Sequence, residues 1–274
     1  MKQRKRIFLV ALLMLIIGAF VWTVSGEREP EYAGKSLTAW LEQNFNNMNF
    51  LYTDNVPPPN YLEEKATRNR ARKEAEIAIK HIGTNALPYL LRLVAARDSS
   101  LKVKATILIS KQSLVRIHMR TAMQKQWMAL QGFQILRLDA TPAIPDLITL
   151  LCNKQDSAEA NVAQSAAECL ASIGPVAIPK LLPLLTNCDA DLSRRAAGAL
   201  KRMVPHLTYL LRKDLDETNR LQMAIYLGEI GINDLGASEA LTDGLNDKSL
   251  LVRSAATNAL KKLNPEAAAK AGIK

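Results

Sequence analysis

Apolar and small residues recur at helical spacing in six stretches of nine residues, which we call the windows. In every window the ninth residue is Leu or Ile, and the fifth is Ala or Gly except where it is Met223. Positions one, five, eight and nine share one face of a helix with about 3.6 residues per turn. The pattern predicts six helices, each with one buried stripe whose small centre admits a close neighbour. The windows are residues 71–79, 128–136, 162–170, 192–200, 219–227 and 252–260.

A second apolar element follows each of the first three windows. Gly83 and Gly174 each stand where a window helix is expected to end. A proline such as Pro175 then fits the first turn of the helix that follows the window. Pro183 comes four residues after another proline, which predicts a kinked or shortened second helix. The window ends are 57, 34, 30, 27 and 33 residues apart, so four of the five intervals fit a helical hairpin. The long first interval predicts an insertion near residues 98–120.

Two stretches resemble HEAT repeats of the short bacterial type. One is the window 252–260 with Asp247 before it, and the other is residues 172–179, which read SIGPVAIP. The resemblance covers about residues 61–265 and is strongest over 141–203, while the fifth window begins with a polar residue and fits less well. It implies an all-α fold, namely an α-solenoid of about six stacked helical hairpins. Such a surface usually binds other macromolecules.

The beginning of the chain has the pattern of a membrane anchor. Residues 7–24 carry no charge and follow a basic cluster that contains Lys2 and Arg4. As a helix they would rise about 27 Å, close to the thickness of the hydrocarbon core. We therefore expect one transmembrane helix within a signal-anchor of residues 1–26. It would place the chain in the cytoplasmic (inner) membrane with a single pass and the repeats on the exported side. If the segment is cleaved, the protein is instead secreted or periplasmic.

The rest of the chain divides into three parts. Residues 27–60 contain a predicted cap helix, with Leu37, Trp40 and Leu41 on one face, followed by a loop rich in Pro and Asn. Residues 61–265 are the repeat domain with its insertion. Residues 266–274 form a C-terminal tail whose first part is expected to close the stack as a short helix. Capping boxes are predicted at Asn60–Glu63 and at Thr121–Gln124.

Composition and charge narrow the function classes. Hydrophobic residues make up 48% of the chain and charged residues 23%, which excludes wholesale disorder. The net charge is +10, but +4 of it lies in residues 1–6. An exported domain rarely meets nucleic acid, so nucleic acid is disfavoured as a partner. Of three cysteines, Cys169 is expected to be a buried thiol, and a disulfide between Cys152 and Cys188 stays open.

No constellation typical of catalysis or metal binding appears in the sequence. His81, His118 and His206 are single and far apart, so no paired-histidine metal motif exists. Acidic pairs such as Glu63 and Glu64 fall at predicted helix starts, where the helix dipole accounts for them. We expect no cofactor, no metal and no catalytic residue.

One segment departs from the repeat pattern. Residues 99–138 contain seven Lys or Arg and no Asp or Glu. One interpretation is a basic patch for an anionic partner, which could be phospholipid headgroups, an acidic protein or a polyanion; the other is a long helix with a solvated basic face. The candidate binding residues are Lys102, Lys104, Lys111, Arg116, Arg120 and Lys125.

These patterns favour a non-enzymatic, membrane-tethered scaffold for protein–protein interaction, whose partner protein the sequence does not name. Two alternatives stay open. One is an enzyme on a HEAT-like scaffold, similar to bilin lyases or to helical-repeat DNA glycosylases. The other is a structural protein of the cell envelope whose repeats self-associate.

Overall fold

Helices make up nearly all of the protein in the parts that the structure describes. This structure is a computed structural model, and it describes residues 29–47, 61–98, 120–153, 157–186, 189–231 and 234–273. Twelve α-helices follow one another in these ranges. They are α1 (Leu37–Asn46), α2 (Tyr61–Ile82), α3 (Leu87–Val94), α4 (Ala122–Leu136), α5 (Ile144–Cys152), α6 (Ser157–Ile173), α7 (Ile178–Leu181), α8 (Ala190–Lys213), α9 (Glu217–Ile230), α10 (Leu235–Gly244), α11 (Leu250–Leu263) and α12 (Pro265–Lys270).

The N-terminal helix α1 buries the face that the sequence predicts. Ser36 caps it by accepting a hydrogen bond from the backbone N–H of Ala39 at 3.3 Å. Leu37 and Leu41 are fully buried, and Trp40 donates from Nε1 to the carbonyl of Tyr32 at 3.0 Å. Two short antiparallel strands precede the helix, β1 (Glu31–Tyr32) and β2 (Lys35–Ser36). Each strand has only two residues, which is too few to show the alternation of polar and apolar side chains that predicts a strand.

All six windows are helical, as predicted. They lie in α2, α4, α6, α8, α9 and α11, and each of these helices contacts the next one in the series. The small fifth residue is buried in every case, as is the Met that replaces it in the fifth window. At Gly132 an added Cβ would lie only 2.6 Å from a methyl group of Leu90 on α3. The missing side chain is therefore what allows α3 and α4 to approach this closely.

The turns after the first three windows each contain a residue with positive φ. Gly83 and Gly174 have φ values of +57° and +104°, a region that glycine adopts without strain. After α4 the positive φ of +49° falls on Arg137 instead. Proline shortens one second helix as expected, because α7 ends at Leu181 and residues Leu182–Thr186, which contain Pro183, continue as a 3-10 helix.

The fourth repeat corrects the prediction of about six hairpins. Helix α8 continues from Ala190 to Lys213, with Pro205 inside it, instead of turning after the window. Burial of Val204 and Leu207 on either side of Pro205 holds the helix together despite the lost backbone donor. The last turn of α8 still contacts α10, where Arg212 donates to Asp243 at 2.7 Å. The second half of this one helix thus occupies the place of a separate second helix.

The C-terminal end is closed by α12, as predicted. Asn264 caps this helix by accepting from the backbone N–H of Ala267 at 2.9 Å, and Ala268 is buried. Several predicted features lie outside the described residues: the anchor at 7–24, the Pro-rich part of the first loop, the Asn60 cap and most of the insertion. In the described parts of the chain, no single helix is long and apolar enough to span a membrane. Two helical segments, Val162–Ile173 and Pro175–Thr186, are together long and apolar enough to span one, by length and composition alone, but they are bent by 118° where they join.

Candidate interaction surface

The predicted basic patch is described only at its C-terminal edge. Lys102, Lys104, Lys111 and Arg116 lie outside the described residues, so the patch stays a prediction there. Arg120 forms an ion pair with Glu42 of α1, which balances its charge. Lys125 is half-buried on α4. The capping box at Thr121 and Gln124, which starts α4 beside Arg120, has both of its hydrogen bonds, at 3.2 and 3.0 Å.

An apolar pocket lies between α1 and α4, beside the Arg120–Glu42 ion pair. Its volume is about 520 Å³. Phe45, Met123 and Trp127 line it and are 45%, 67% and 49% exposed, which is high for large apolar side chains. Trp127 lies within the basic segment 99–138, and no local pattern brings it together with Phe45, because the two residues belong to different helices.

A second cavity, which we call the polar cleft, lies between α1, α2 and α4 and has a volume of about 290 Å³. Asn44 and Gln131 meet in its wall, where Nδ2 of Asn44 donates to Oε1 of Gln131 at 2.9 Å. The two residues are 5% and 1% exposed. Oδ1 of Asn44 and Nε2 of Gln131 have no hydrogen-bond partner among the described residues. The cleft is completed by Arg72, Glu76, Lys80, Gln134, Ile135 and Arg137.

A third cavity, the long groove, continues from the polar cleft along the repeats and has a volume of about 910 Å³. It runs past the C-terminal ends of α2, α4 and α6 and ends on α8 and α9, where His206, Asp214 and Met223 line it. The polar cleft and the long groove have four lining residues in common: Lys80, Gln134, Ile135 and Arg137. The two cavities therefore form one continuous surface across five consecutive window helices.

Positive charge is concentrated where the two cavities join. In the polar cleft Arg72 is paired with Glu76 at 2.9 Å, whereas Lys80 and Arg137 have no ion pair or hydrogen bond with a side chain among the described residues. Burial lowers the pKa of His206 farther along the groove, and the charge of Arg137 lowers it further. His206 is therefore harder to protonate than an exposed histidine, and Lys80 and Arg137 are the unpaired cations of this part of the groove.

Lys80 and Arg137 were missed as a pair by the sequence analysis, although a signal for them exists. Each directly follows the last residue of its window, and Ala171, which also lines the long groove, holds the same place after the third window. Residues at equivalent places in stacked repeats share one face. Reading the windows one residue further would have indicated both cations, 57 residues apart in sequence.

The histidines and cysteines of the described residues do not form a site together. No group of three His, Cys, Asp or Glu among these residues is placed to hold a metal ion. His81 stacks on Tyr32 with ring centroids 4.9 Å apart, and His118 lies outside the described residues. Cys152 and Cys169 are free thiols. Cys169 is buried, as expected, and burial raises its pKa, while Cys188 lies outside the described residues.

Comparison with known proteins places the C-terminal repeats in a recognised class. The family model of HEAT repeats matches residues 204–271, from the second half of α8 through α12. The match lies C-terminal to residues 141–203, where the sequence most resembles HEAT repeats, and it includes the less regular fifth window. No curated protein matches the chain. Together with the helical architecture described above, the match supports a HEAT-like helical repeat in the matched part of the chain.

Proposed function

We propose that this protein is a non-enzymatic scaffold that binds a partner protein along a HEAT-like solenoid surface. The observation that carries the proposal is the continuous surface formed by the polar cleft and the long groove. This surface crosses five window helices and presents polar, charged and apolar groups along its length. It lies at the C-terminal ends of the first three of these helices, where the chain turns toward the next helix. HEAT repeats suggest the same kind of function, since they commonly mediate protein interactions.

The proposal includes a membrane tether at residues 7–24, in the cytoplasmic membrane, with the repeats on the exported side. The uncharged stretch and the basic residues before it support this part. A tether raises the local concentration of the surface near membrane-bound partners. Full-length chain should remain in the membrane pellet after carbonate extraction at high pH, and a chain that starts at residue 27 should not. Recovery of both chains in the soluble fraction would contradict the tether.

Photo-crosslinking in the native cell tests the scaffold itself. A photoreactive amino acid is placed at Val176, which lines the long groove, and in a second strain at Leu250, which is exposed on α11 away from it. Val176 is 41% exposed and Leu250 is 70% exposed, so a lack of adducts at Leu250 cannot come from poorer access. We expect protein adducts from Val176 and none of the same mass from Leu250. Absence of protein adducts at Val176, at Leu138 and at other groove positions would overturn the proposed function.

A further inference from the structure

We propose that the polar cleft and the adjoining end of the long groove bind an extended acidic peptide, whose Asp or Glu side chain lies between Lys80 and Arg137. This inference rests on the proposed function, because it gives the chemistry of the partner that the scaffold binds. Three features of the surface support it: the unpaired cations, the unsatisfied amides and the length of the groove.

The unpaired cations select a carboxylate. Lys80 and Arg137 belong to both cavities, and neither has an acidic partner among the described residues. Glu76, the acidic residue of the polar cleft, is held by Arg72. Hydrogen bonds from Lys or Arg to a carboxylate are about twice as strong as those between neutral groups. An incoming acidic side chain would therefore supply the acidic partner that the described residues do not give to Lys80 and Arg137.

The buried amide pair selects a peptide group. Asn44 and Gln131 satisfy each other once, which leaves one acceptor and one donor without a partner among the described residues. The same holds if both amides are turned over, since one donor and one acceptor then remain as well. A buried polar group without a partner costs about 1–3 kcal/mol. A backbone C=O and N–H in the polar cleft offer both missing partners, once the two side chains turn toward them.

The shape of the surface selects an extended chain. The joined cavities touch α2, α4, α6, α8 and α9, and packed helix axes are about 8–10 Å apart. Four such intervals give about 35 Å, the length of about ten extended residues. Asp214 lies where the long groove reaches the end of α8, and it does not line the polar cleft. Repulsion from this carboxylate directs the acidic residue of the peptide to the end that holds Lys80 and Arg137.

Peptide binding to the full-length chain tests this inference. The probe is a labelled ten-residue Ser peptide that carries two adjacent Glu residues at one end, blocked at both termini and measured by fluorescence anisotropy. The same peptide with Gln in place of Glu is the matched control, and inorganic phosphate is a competitor. We expect the Glu peptide to bind at least about tenfold more tightly than the Gln peptide, with phosphate a weak competitor. Equal binding of both peptides would overturn the inference, and so would displacement by phosphate at concentrations below those of the peptide.

Two variants tie the binding to the proposed residues. The double variant Lys80→Glu, Arg137→Glu should lower the affinity for the Glu peptide at least about tenfold. Its matched control, Lys261→Glu with Lys270→Glu, changes the net charge equally on exposed residues outside both cavities and should leave the affinity within about twofold. Equal losses in the two variants would show a general charge effect and overturn the site.

A third variant tests the amides. Replacing Asn44 and Gln131 together by Leu removes both unsatisfied groups, so the fold should be retained. We expect affinity for the peptide to fall about fivefold while the thermal midpoint stays level or rises. If the affinity is unchanged, Asn44 and Gln131 contribute to the packing of the protein and not to peptide binding, and this part of the inference is wrong.

The inference and the proposed function fail in different ways. If the Val176 crosslinks persist in a strain that carries Lys80→Glu and Arg137→Glu, the scaffold stands and the acidic-peptide inference is wrong. If no groove position crosslinks to a protein, the scaffold itself is wrong.

Discussion

Arg220 of α9 holds Asp247, which precedes α11, in a two-pronged ion pair that links neighbouring repeats. Nε lies 2.8 Å from Oδ2 and Nη2 lies 3.0 Å from Oδ1. The remaining nitrogen, Nη1, donates to the carbonyls of Asp214 and Leu215, both at 3.0 Å. The two charged side chains are only 4% and 11% exposed. Each of the three nitrogens of this buried cation is thus engaged at the junction between two repeats.

Removing the cation should destabilise the protein strongly. In Arg220→Leu the carboxylate of Asp247 stays buried without its partner, so the free energy of unfolding should fall by about 3 kcal/mol. The control is Glu229→Gln, which breaks the exposed ion pair of Lys262 and Glu229 and should cost less than about 1 kcal/mol. Urea unfolding followed by circular dichroism measures both. Equal losses would contradict the role of burial.

Acid should weaken the same junction. The hydrogen bonds from Arg220 lower the pKa of Asp247, and a backbone hydrogen bond from Ser249 lowers it further. Because the pKa is lower in the folded state, this stabilisation is complete above the unfolded pKa of about 3.9. It is lost as the pH falls through the folded pKa. The urea midpoint should therefore drop below about pH 4, and it should drop less steeply in Asp247→Asn. Parallel curves for the two proteins would contradict this assignment.

Two glycines on window helices should respond to alanine in opposite directions. Gly132→Ala places a Cβ 2.6 and 2.9 Å from the methyl groups of the buried Leu90, so stability should fall by about 1–3 kcal/mol. Gly198→Ala meets only the end of Arg202, at 3.4 Å, and should raise stability by about 0.5–1 kcal/mol through helix propensity. Thermal unfolding distinguishes them, and a gain in both would contradict the close contact between α3 and α4.

Replacing Arg137 by Gly should stabilise the protein and weaken its binding of the peptide. Its positive φ is unfavourable for a side chain with a Cβ, so Arg137→Gly should raise the free energy of unfolding by about 1 kcal/mol. The same change removes a cation from the proposed peptide site and should weaken binding of the Glu peptide. The converse control is Gly83→Ala, which imposes the strain at φ +57° and should lower stability by about 1 kcal/mol. A Gly variant no more stable than the parent would contradict strain at Arg137.

Local patterns predicted the helices because the information for them is local. The small fifth residue and the Leu or Ile at position nine located all six window helices. Pro183 gave the short α7, and Thr121 with Gln124 gave the start of α4. Local patterns could not predict that α8 continues past Pro205, because the burial of Val204 and Leu207 that keeps this helix intact depends on neighbouring repeats.

The candidate site depends on contacts between distant parts of the chain. Asn44 and Gln131 are 87 residues apart and meet only because α1 packs on α4. Arg120, predicted to be part of a basic patch, finds a partner in Glu42 for the same reason. Composition showed that positive charge was in excess in this region, but it could not show which cations the fold leaves unpaired.

The unbroken course of α8 has a mechanical consequence. Its 24 residues make a rod about 36 Å long in the middle of the array, where the other repeats have a turn. A turn gives way under load more easily than the shaft of a helix does. When a partner applies force to this protein, we expect the helical repeats to bend at the turns on either side of α8. The C-terminal repeats would then rotate relative to α8, which stays rigid.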